Sequence, residues 1–458
     1  MVADIRIKRG LNIKLAGEPA RDITDASGAK TISVYPSEIA GIKPRLMVEE
    51  GAKVLRGTPL LFDKKNPEFK FCSPVAGTVK SIILGARRSL QEIVIQVAGR
   101  DSAESFKKFA SADELLGAKR DELLTLLQNS GLMLLIRQRP FGKMADAATL
   151  PKSIFVNAMA NAPFRADPSV VVQGREAEFQ AGLNALTRLT DGEVHLCTDG
   201  NDGAFVHPAI ASAKNVRSTA FAGPHPSGNT STHIHQLDPI APGDAVWTIS
   251  AVNLTQIGEL LLTGKIPATK VVVAGGPGLG KNNSRYYKVR IGTPISEILG
   301  DDLAADARII SGDIFAGTPI SADSSVRTFD NSLCVLAEDR ERHFMGWLAP
   351  GLNRFSTHRL FLSRWFKADA TWELTTSKRG SDRAMVMTGI YDKYVPLNIM
   401  VDYLTRACLA NDTEEAVKLG ILECAPEDFA LCSIVCPSKT DFSAIIQKGL
   451  DLIEKEGL

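Results

Sequence analysis

Through the first hundred residues apolar and polar positions alternate between glycine and proline punctuation, as in Thr31 to Tyr35 (TISVY) and Gln91 to Val97 (QEIVIQV). A period of two puts successive side chains on opposite faces of a strand, so the spacing predicts a small all-β unit over residues 1–100. After a polar stretch at 99–107, Ser111 opens an amphipathic run with Leu115, Leu123, Leu124 and Leu127 at its apolar positions. This predicts capped helical structure ending near Gly131. Apolar strands then alternate with helical segments up to about residue 250: strands at 153–157, 193–197, 221–222 and 246–250, and a helix through Phe179, Leu183 and Leu186. That alternation argues a Rossmann-like α/β domain with a mainly parallel sheet, bounded at 101–255.

A helix from about Val252 to Leu262 stops at Thr263 and Gly264, and the strand from Lys270 to Ala274 begins a section of short strands and glycine turns that runs to about Leu336. Residues 256–336 therefore read as a small inserted β domain. The remainder, 337–458, starts with mixed aromatic and basic residues and ends in helices at 403–410, 414–419 and 442–455, with Asn411, Asp412 and Thr413 as cap and turn. No repeat with a period of 20–50 residues is found. The fold class is multidomain α/β.

Composition bounds the functional classes. A chain of 458 residues exceeds what one core sustains. Its 44% hydrophobic and 23% charged fractions predict folding throughout. With 53 basic against 52 acidic residues and no long single-sign run, there is no electrostatic footprint for nucleic acid. No stretch reaches the roughly 18 apolar residues of a spanning helix. The start lacks the apolar region of a secretory signal, so a cytoplasmic chain is expected. Seven cysteines, an odd and scattered set, fit reduced thiols rather than a disulfide framework.

Four local patterns carry candidate chemistry. Residues 48–64 and 72–79 resemble the two halves of a biotinyl/lipoyl barrel-sandwich hybrid, with Ser73-Pro-Val-Ala-Gly77 as the specific turn and Lys64 where a carrier lysine would be modified. Lys64 stands farther from Ser73 than in lipoyl carriers and has no Met-Lys-Met setting, which favours a structural barrel. Gly275, Gly280 and Lys281 have P-loop spacing, but Asn282 replaces the Ser/Thr that would hold Mg2+ and residues 284–291 read as a strand, so a glycine turn between strands is favoured. His233 and His235, with His225 and Asp238 nearby, would share a face if they lay on a strand and could then reach one metal. Without a further ligand at motif spacing, a loop packed by hydrogen-bonded histidines is favoured. Cys432 and Cys436, with Cys424 upstream, look like a fragment of a ferredoxin run whose CxxCxxC part is missing, which argues against a cluster.

Taken together, the barrel halves, Phe221-Ala-Gly-Pro-His-Pro-Ser-Gly228, Thr232-His-Ile-His-Gln-Leu-Asp-Pro239 and Cys432-x-x-x-Cys-Pro-Ser-Lys439 resemble the A subunit of the Na+-translocating NADH:quinone oxidoreductase along nearly the whole chain. A more distant similarity joins that family to the C subunit of the Rnf complex and to the flavin-binding subunit of respiratory complex I. Ile291 to Leu299 resembles the start of the β-grasp domain those proteins share, which assigns a β-grasp to 256–336. In the flavin-binding relatives a loop of the type GRGGxGFPxGxK approaches FMN and NADH. Its place here is taken by residues 137–146, where Arg137, Phe141, Gly142 and Lys143 form a degenerate version and Pro140 removes a donor.

The resemblance thus implies a peripheral subunit at the cytoplasmic face of the inner membrane, docked on the membrane-embedded B subunit, without flavin, cluster, metal or covalent cofactor of its own and associated with quinone. It implies no catalytic residue in this chain alone. The mixed aromatic and basic segment 340–367 offers His343, Trp347, Phe361, Trp365 and Phe366 as contacts for quinone or partner. The rival readings are a self-contained NADH- or FMN-dependent oxidoreductase on a complex I-like scaffold, and a lipoyl or biotinyl carrier modified at Lys64.

Overall fold

The computed structural model describes residues 4–39, 41–201, 215–300, 303–304, 306–340, 344–357, 360–367 and 370–457, with only the backbone of Trp347. Two small antiparallel sheets face each other in the N-terminal part. One holds Pro44–Leu46, Pro59–Asp63 and Asn66–Cys72; the other holds Thr31–Val34, Leu90–Val97, Gly77–Leu84 and Lys53–Val54. The alternation along 93–97 turns Ile93 and Ile95 inward, and an irregularity in the pairing brings Leu90 to the same side, where they meet Leu60, Leu61, Phe69 and Phe71. Gly77 sits where a Cβ would lie 2.2 Å from the Gln96 carbonyl, so the strand pair closes only on glycine at that turn. The helix Arg120–Ser130, stopped by left-handed Gly131, packs on Asn66–Cys72 and extends the barrel core into the next unit.

That unit is a seven-stranded sheet in the order Ile5–Arg6, Arg217–Ala222, Val194–Asp199, Ser153–Ala158, Val246–Ser250, Arg137–Arg139, Lys143–Met144. The first five strands are parallel and the last two form an antiparallel edge. Ser153–Ala158 is buried at every position, as expected where both faces are covered. Ile154 and Val156 face the helices Glu176–Leu186 and Ala251–Thr263, whereas Phe155, Cys197 and Phe221 face Thr230–Leu237 and the C-terminal helices.

A second, mixed sheet runs Thr318–Ile320, Ala307–Ser311, Ser332–Ala337, Thr269–Gly275, Arg285–Arg290, Ala20–Asp25. The one-turn helix Ile295–Leu299 buries Ile295, Ile298 and Leu299 against it. The C-terminal helices Val401–Ala410, Thr413–Lys418, Ala430–Val435 and Phe442–Glu456 close the core on the second face of the parallel sheet. Asn411 takes the left-handed cap, and the Asp412 carboxylate accepts from the Glu415 N–H at 3.0 Å.

Three expectations change. The boundary at 255/256 falls inside the helix Ala251–Thr263, which packs so closely on Glu176–Leu186 that the chain leaves the α/β unit only at Gly264. The first 25 residues do not belong to the barrel alone: Ile5–Arg6 edges the parallel sheet and Ala20–Asp25 edges the mixed one. His233 and His235 lie on the helix Thr230–Leu237, neither strand nor loop, and positions two apart on a helix point to nearly opposite sides.

Candidate functional site

In the parallel sheet the chain steps from Ser153–Ala158 in one direction to Val194–Asp199 and Arg217–Ala222, then returns to place Val246–Ser250 on the other side. Connections diverge at such a reversal and leave a crevice beyond the carboxyl ends of the two strands. A cavity of about 420 Å3 occupies this position. One wall is Asn157, Met159, Thr248, Ser250 and Asn253 from the parallel sheet and its loops; the other is Ser311 to Asp313 and Arg327 to Ser332 from the mixed sheet.

The crevice is charged. Arg137, on the antiparallel edge strand, sets its guanidinium carbon 4.2 Å from the centre of the Phe329 ring, a cation–π contact. Burial lowers its pKa, opposed by Asp330 and Glu38. Lys270, fully buried, donates to three backbone carbonyls of the opposite wall: Arg327, Thr328 at 3.2 Å and Asp330 at 2.6 Å. Burial brings Lys270 down to about 8. Glu38 accepts from the Thr328 N–H at 2.9 Å through Oε2, while its buried Oε1 has no partner. Desolvation outweighs that hydrogen bond and the nearby Lys270 and raises Glu38 to about 7. Asn331 donates to Asn253 Oδ1 at 3.1 Å and leaves its own buried Oδ1 unpaired.

The hairpin of Arg137–Arg139 and Lys143–Met144 is otherwise committed to the C-terminal region. Arg139, 5% exposed, donates to Ser231 Oγ at 3.1 Å and to the carbonyls of Glu423 and Cys424. Lys143 pairs with Glu454, and Phe141 packs into the helical core. Gly142 tops the turn with φ +65° and open space around it. Only Arg137 of the four expected loop residues therefore faces the crevice.

The remaining candidates separate in space. In the glycine run 275–281 the N–H of Gly276 donates to Gly17 and that of Gly278 to Val335, so donors a phosphate would need are used in chain contacts. His233 lies against Phe221 and its Nε2 is 3.0 Å from the Ser227 carbonyl; burial pushes it down to about 3. His235 faces the other way, with Nδ1 2.5 Å from Glu423 Oε2. His225 is buried beside Phe315, with Nδ1 3.3 Å from Asn161 Oδ1, and its pKa falls to about 4. Asp238 pairs with Lys152. No group of three or more His, Cys, Asp or Glu is placed to hold a metal among the described residues. Cys424 contacts the Gly420 carbonyl and Cys436 the Tyr391 hydroxyl, within a helical core that also buries Cys432. Lys64 is exposed at the two-residue turn joining Pro59–Asp63 to Asn66–Cys72, and its N–H donates to the Lys43 carbonyl.

Of the contact candidates, His343 and the side chain of Trp347 lie outside the described residues. Trp365 and Phe366, on the short helix Ser363–Phe366, are 62% and 75% exposed, and Phe344 is 93% exposed. Phe361 is partly covered by the Gly351 turn and lies 5.8 Å from the Arg354 guanidinium. No helix among the described residues is long and apolar enough to cross a membrane.

Arg165 and Arg327, which also line the crevice, carry no signal in the sequence. Neither sits in a motif, and they meet Arg137 only once two sheets from distant stretches of chain come together.

Comparison with known proteins gives a consistent picture. A profile of the NqrA N-terminal barrel-sandwich hybrid domain matches residues 5–98, and one of the NqrA second alpha/beta domain matches residues 118–266. The chain is 41% identical over 99% of its length, and 100% of the relative's, to the A subunit of the Na(+)-translocating NADH-quinone reductase of Saccharophagus degradans. It is 37% identical, with the same coverage, to the protein of that name from Pasteurella multocida. A solved NAD+-reducing [NiFe]-hydrogenase covers 75% of this chain and 63% of its own at 12% identity and a TM-score of 0.39, too low to bear on function.

Proposed function

This chain belongs to the NqrA family, the A subunits of the Na(+)-translocating NADH-quinone reductases, and from that premise we propose that it is a peripheral subunit on the cytoplasmic face of the membrane, docked on the membrane-embedded B subunit. In this reading electrons pass through cofactors held by other subunits, and this chain brings a surface and a scaffold. The parallel sheet with its reversal point is read as Rossmann-like, and the mixed sheet with its one-turn helix as a β-grasp. The hairpin of Arg137 to Lys143, committed through Arg139 and Lys143 to the C-terminal helices, supports a subunit without flavin or NADH site of its own.

The observation that carries the docking reading is the segment from Phe344 to Lys367. It contains no acidic residue, and Phe344, Leu348, Leu360, Trp365 and Phe366 all stand exposed. Apolar side chains interleaved with arginine are the composition of an interface. An apolar surface with a few donors also suits the ring and two carbonyls of a quinone, which makes quinone a ligand of the same segment. The test replaces Phe361, Trp365 and Phe366 together by alanine and assays membranes. Loss of co-purification with the complex, or a fall in NADH-driven quinone reduction, is expected. A folded variant that stays with the complex and supports normal turnover overturns the docking reading.

A further inference from the structure

We infer that the crevice between the two sheets is a binding site for a small oxyanion carrying at least two negative charges, a phosphate monoester or a di- or tricarboxylate, which would bridge the parallel and the mixed sheet. Three arginines line the cavity from separate stretches of chain: Arg137 from the edge strand, Arg165 from the loop after Ser153–Ala158, and Arg327 from the segment before Ser332–Ala337. Among the described residues none of their guanidiniums forms a hydrogen bond or ion pair; Arg137 rests on Phe329, and the acids of the cavity act on the three only through space. A guanidinium is a rigid fork of donors matched to carboxylate and phosphate oxygens, and three unpaired in one crevice repel each other unless an anion joins them.

Among the described residues none of the acids in the same cavity forms an ion pair with these arginines, and each is engaged otherwise. Asp313 already accepts from the N–H groups of Phe315 and Ala316, both at 2.9 Å, and Asp330 from the Ser311 hydroxyl at 2.7 Å. Burial raises the pKa of Glu427, with Asp428 adding to the effect, and burial raises Glu38, so both are held toward the neutral form. Lys270, whose ammonium donates to the Arg327 and Asp330 carbonyls, adds positive charge behind that wall of the cavity.

The backbone is shaped to the purpose. Phe164, directly before Arg165, has φ +59°, a region bulky residues rarely enter. It is held there by its burial and by the bonds of the loop that follows: the N–H of Ala166 to Ser332 Oγ at 3.2 Å and that of Asp167 to the Tyr286 hydroxyl at 3.1 Å. The buried Asn331 Oδ1, an acceptor without a partner, and the neutral Glu38 carboxyl, whose Oε1 also has none, further select a ligand with hydroxyl groups beside its charge. A cavity of about 420 Å3 takes a molecule of that size.

The experiment is thermal unfolding of the full chain in pyrophosphate and in citrate, each against sodium chloride at equal ionic strength, with the Arg165→Gln/Arg327→Gln double variant beside it. A saturable rise in Tm of roughly 2 °C or more in the parent protein, absent from the variant, is expected. A larger effect of pyrophosphate than of citrate assigns the site to phosphate; the reverse assigns it to carboxylates. No saturable rise, or an equal one in the double variant, overturns the proposal. Should the variant fail to fold, phenylglyoxal modification of the parent decides: pyrophosphate or citrate must protect Arg165 and Arg327, and equal modification with and without them overturns it.

Discussion

Arg139 Nη2 donates to the carbonyl oxygen of Cys424 at 2.5 Å, joining the antiparallel edge of the seven-stranded sheet to the C-terminal helical region. The same guanidinium reaches the Glu423 carbonyl and the Ser231 hydroxyl, and it lies near Asp428, whose carboxylate accepts from Asn229 and from the Ala425 N–H. Replacing Arg139 by methionine keeps much of the volume and strips three carbonyls, those of Pro140, Glu423 and Cys424, of this donor. The loss is expected to be about 3 kcal/mol, since buried acceptors lose their donor and Asp428 loses a neighbouring positive charge. Urea unfolding followed by fluorescence checks this; a change under about 0.5 kcal/mol would show that water replaces the guanidinium at no loss.

A second prediction concerns Gly258. A Cβ there would stand 1.7 Å from the Glu178 carbonyl oxygen, where Ala251–Thr263 crosses Glu176–Leu186. Alanine improves helix propensity by about 1 kcal/mol. The contact is with backbone and cannot rotate away, so overpacking wins and Gly258→Ala is expected to destabilise by about 2 kcal/mol net. A urea midpoint at or above that of the parent would refute the close crossing.

Glu38 gives a pH dependence. Its folded pKa is raised from 4.5 to about 7, so the folded state holds a proton that the unfolded chain has released between those values. The stability associated with its neutral form is complete below pH 4.5 and is lost as pH climbs through 7. Glu38→Gln removes that contribution, and its stability relative to the parent should rise between about pH 5 and pH 7 and level off above. Parallel stability curves for the two proteins over this range would contradict the burial of the carboxyl.

The purified chain is expected to be colourless, because the hairpin at Arg137 to Lys143 and the buried, separately partnered cysteines offer no cradle for flavin or cluster. Stoichiometric visible absorbance from flavin or iron–sulfur charge transfer would overturn the proposed role.

Much of this architecture is legible in the sequence, because it is set locally. The period-two run at 90–97 and the αL glycines at 131 and 264 mark element types and ends through short-range sterics. The histidine pair misleads because its element is not set locally: Thr230 to Leu237 is a buried eight-residue helix whose β-branched residues also suit a strand, and tertiary packing decides between them. Of the crevice, only Arg137 can be found in advance, since the resemblance marks its loop. Arg165 and Arg327 acquire meaning from a juxtaposition of sheets that no spacing along the chain encodes, and the orphan Glu38 Oε1 exists only once Thr328 has taken its partner oxygen.

The two strands contributed by the first 25 residues bear on how the molecule is made. On the ribosome Ile5–Arg6 emerges long before its partner Arg217–Ala222, and Ala20–Asp25 before Arg285–Arg290. At elongation rates of about 5–20 residues per second, the second interval lasts roughly 10–50 s. Throughout it Ala20–Asp25 is an unpaired strand tethered to a barrel whose own pairings, all local, can already close. Neither large sheet can acquire its outer edge while the chain is short, so the barrel is the unit that matures first, and Ile5–Arg6 and then Ala20–Asp25 are locked only as their distant partners arrive.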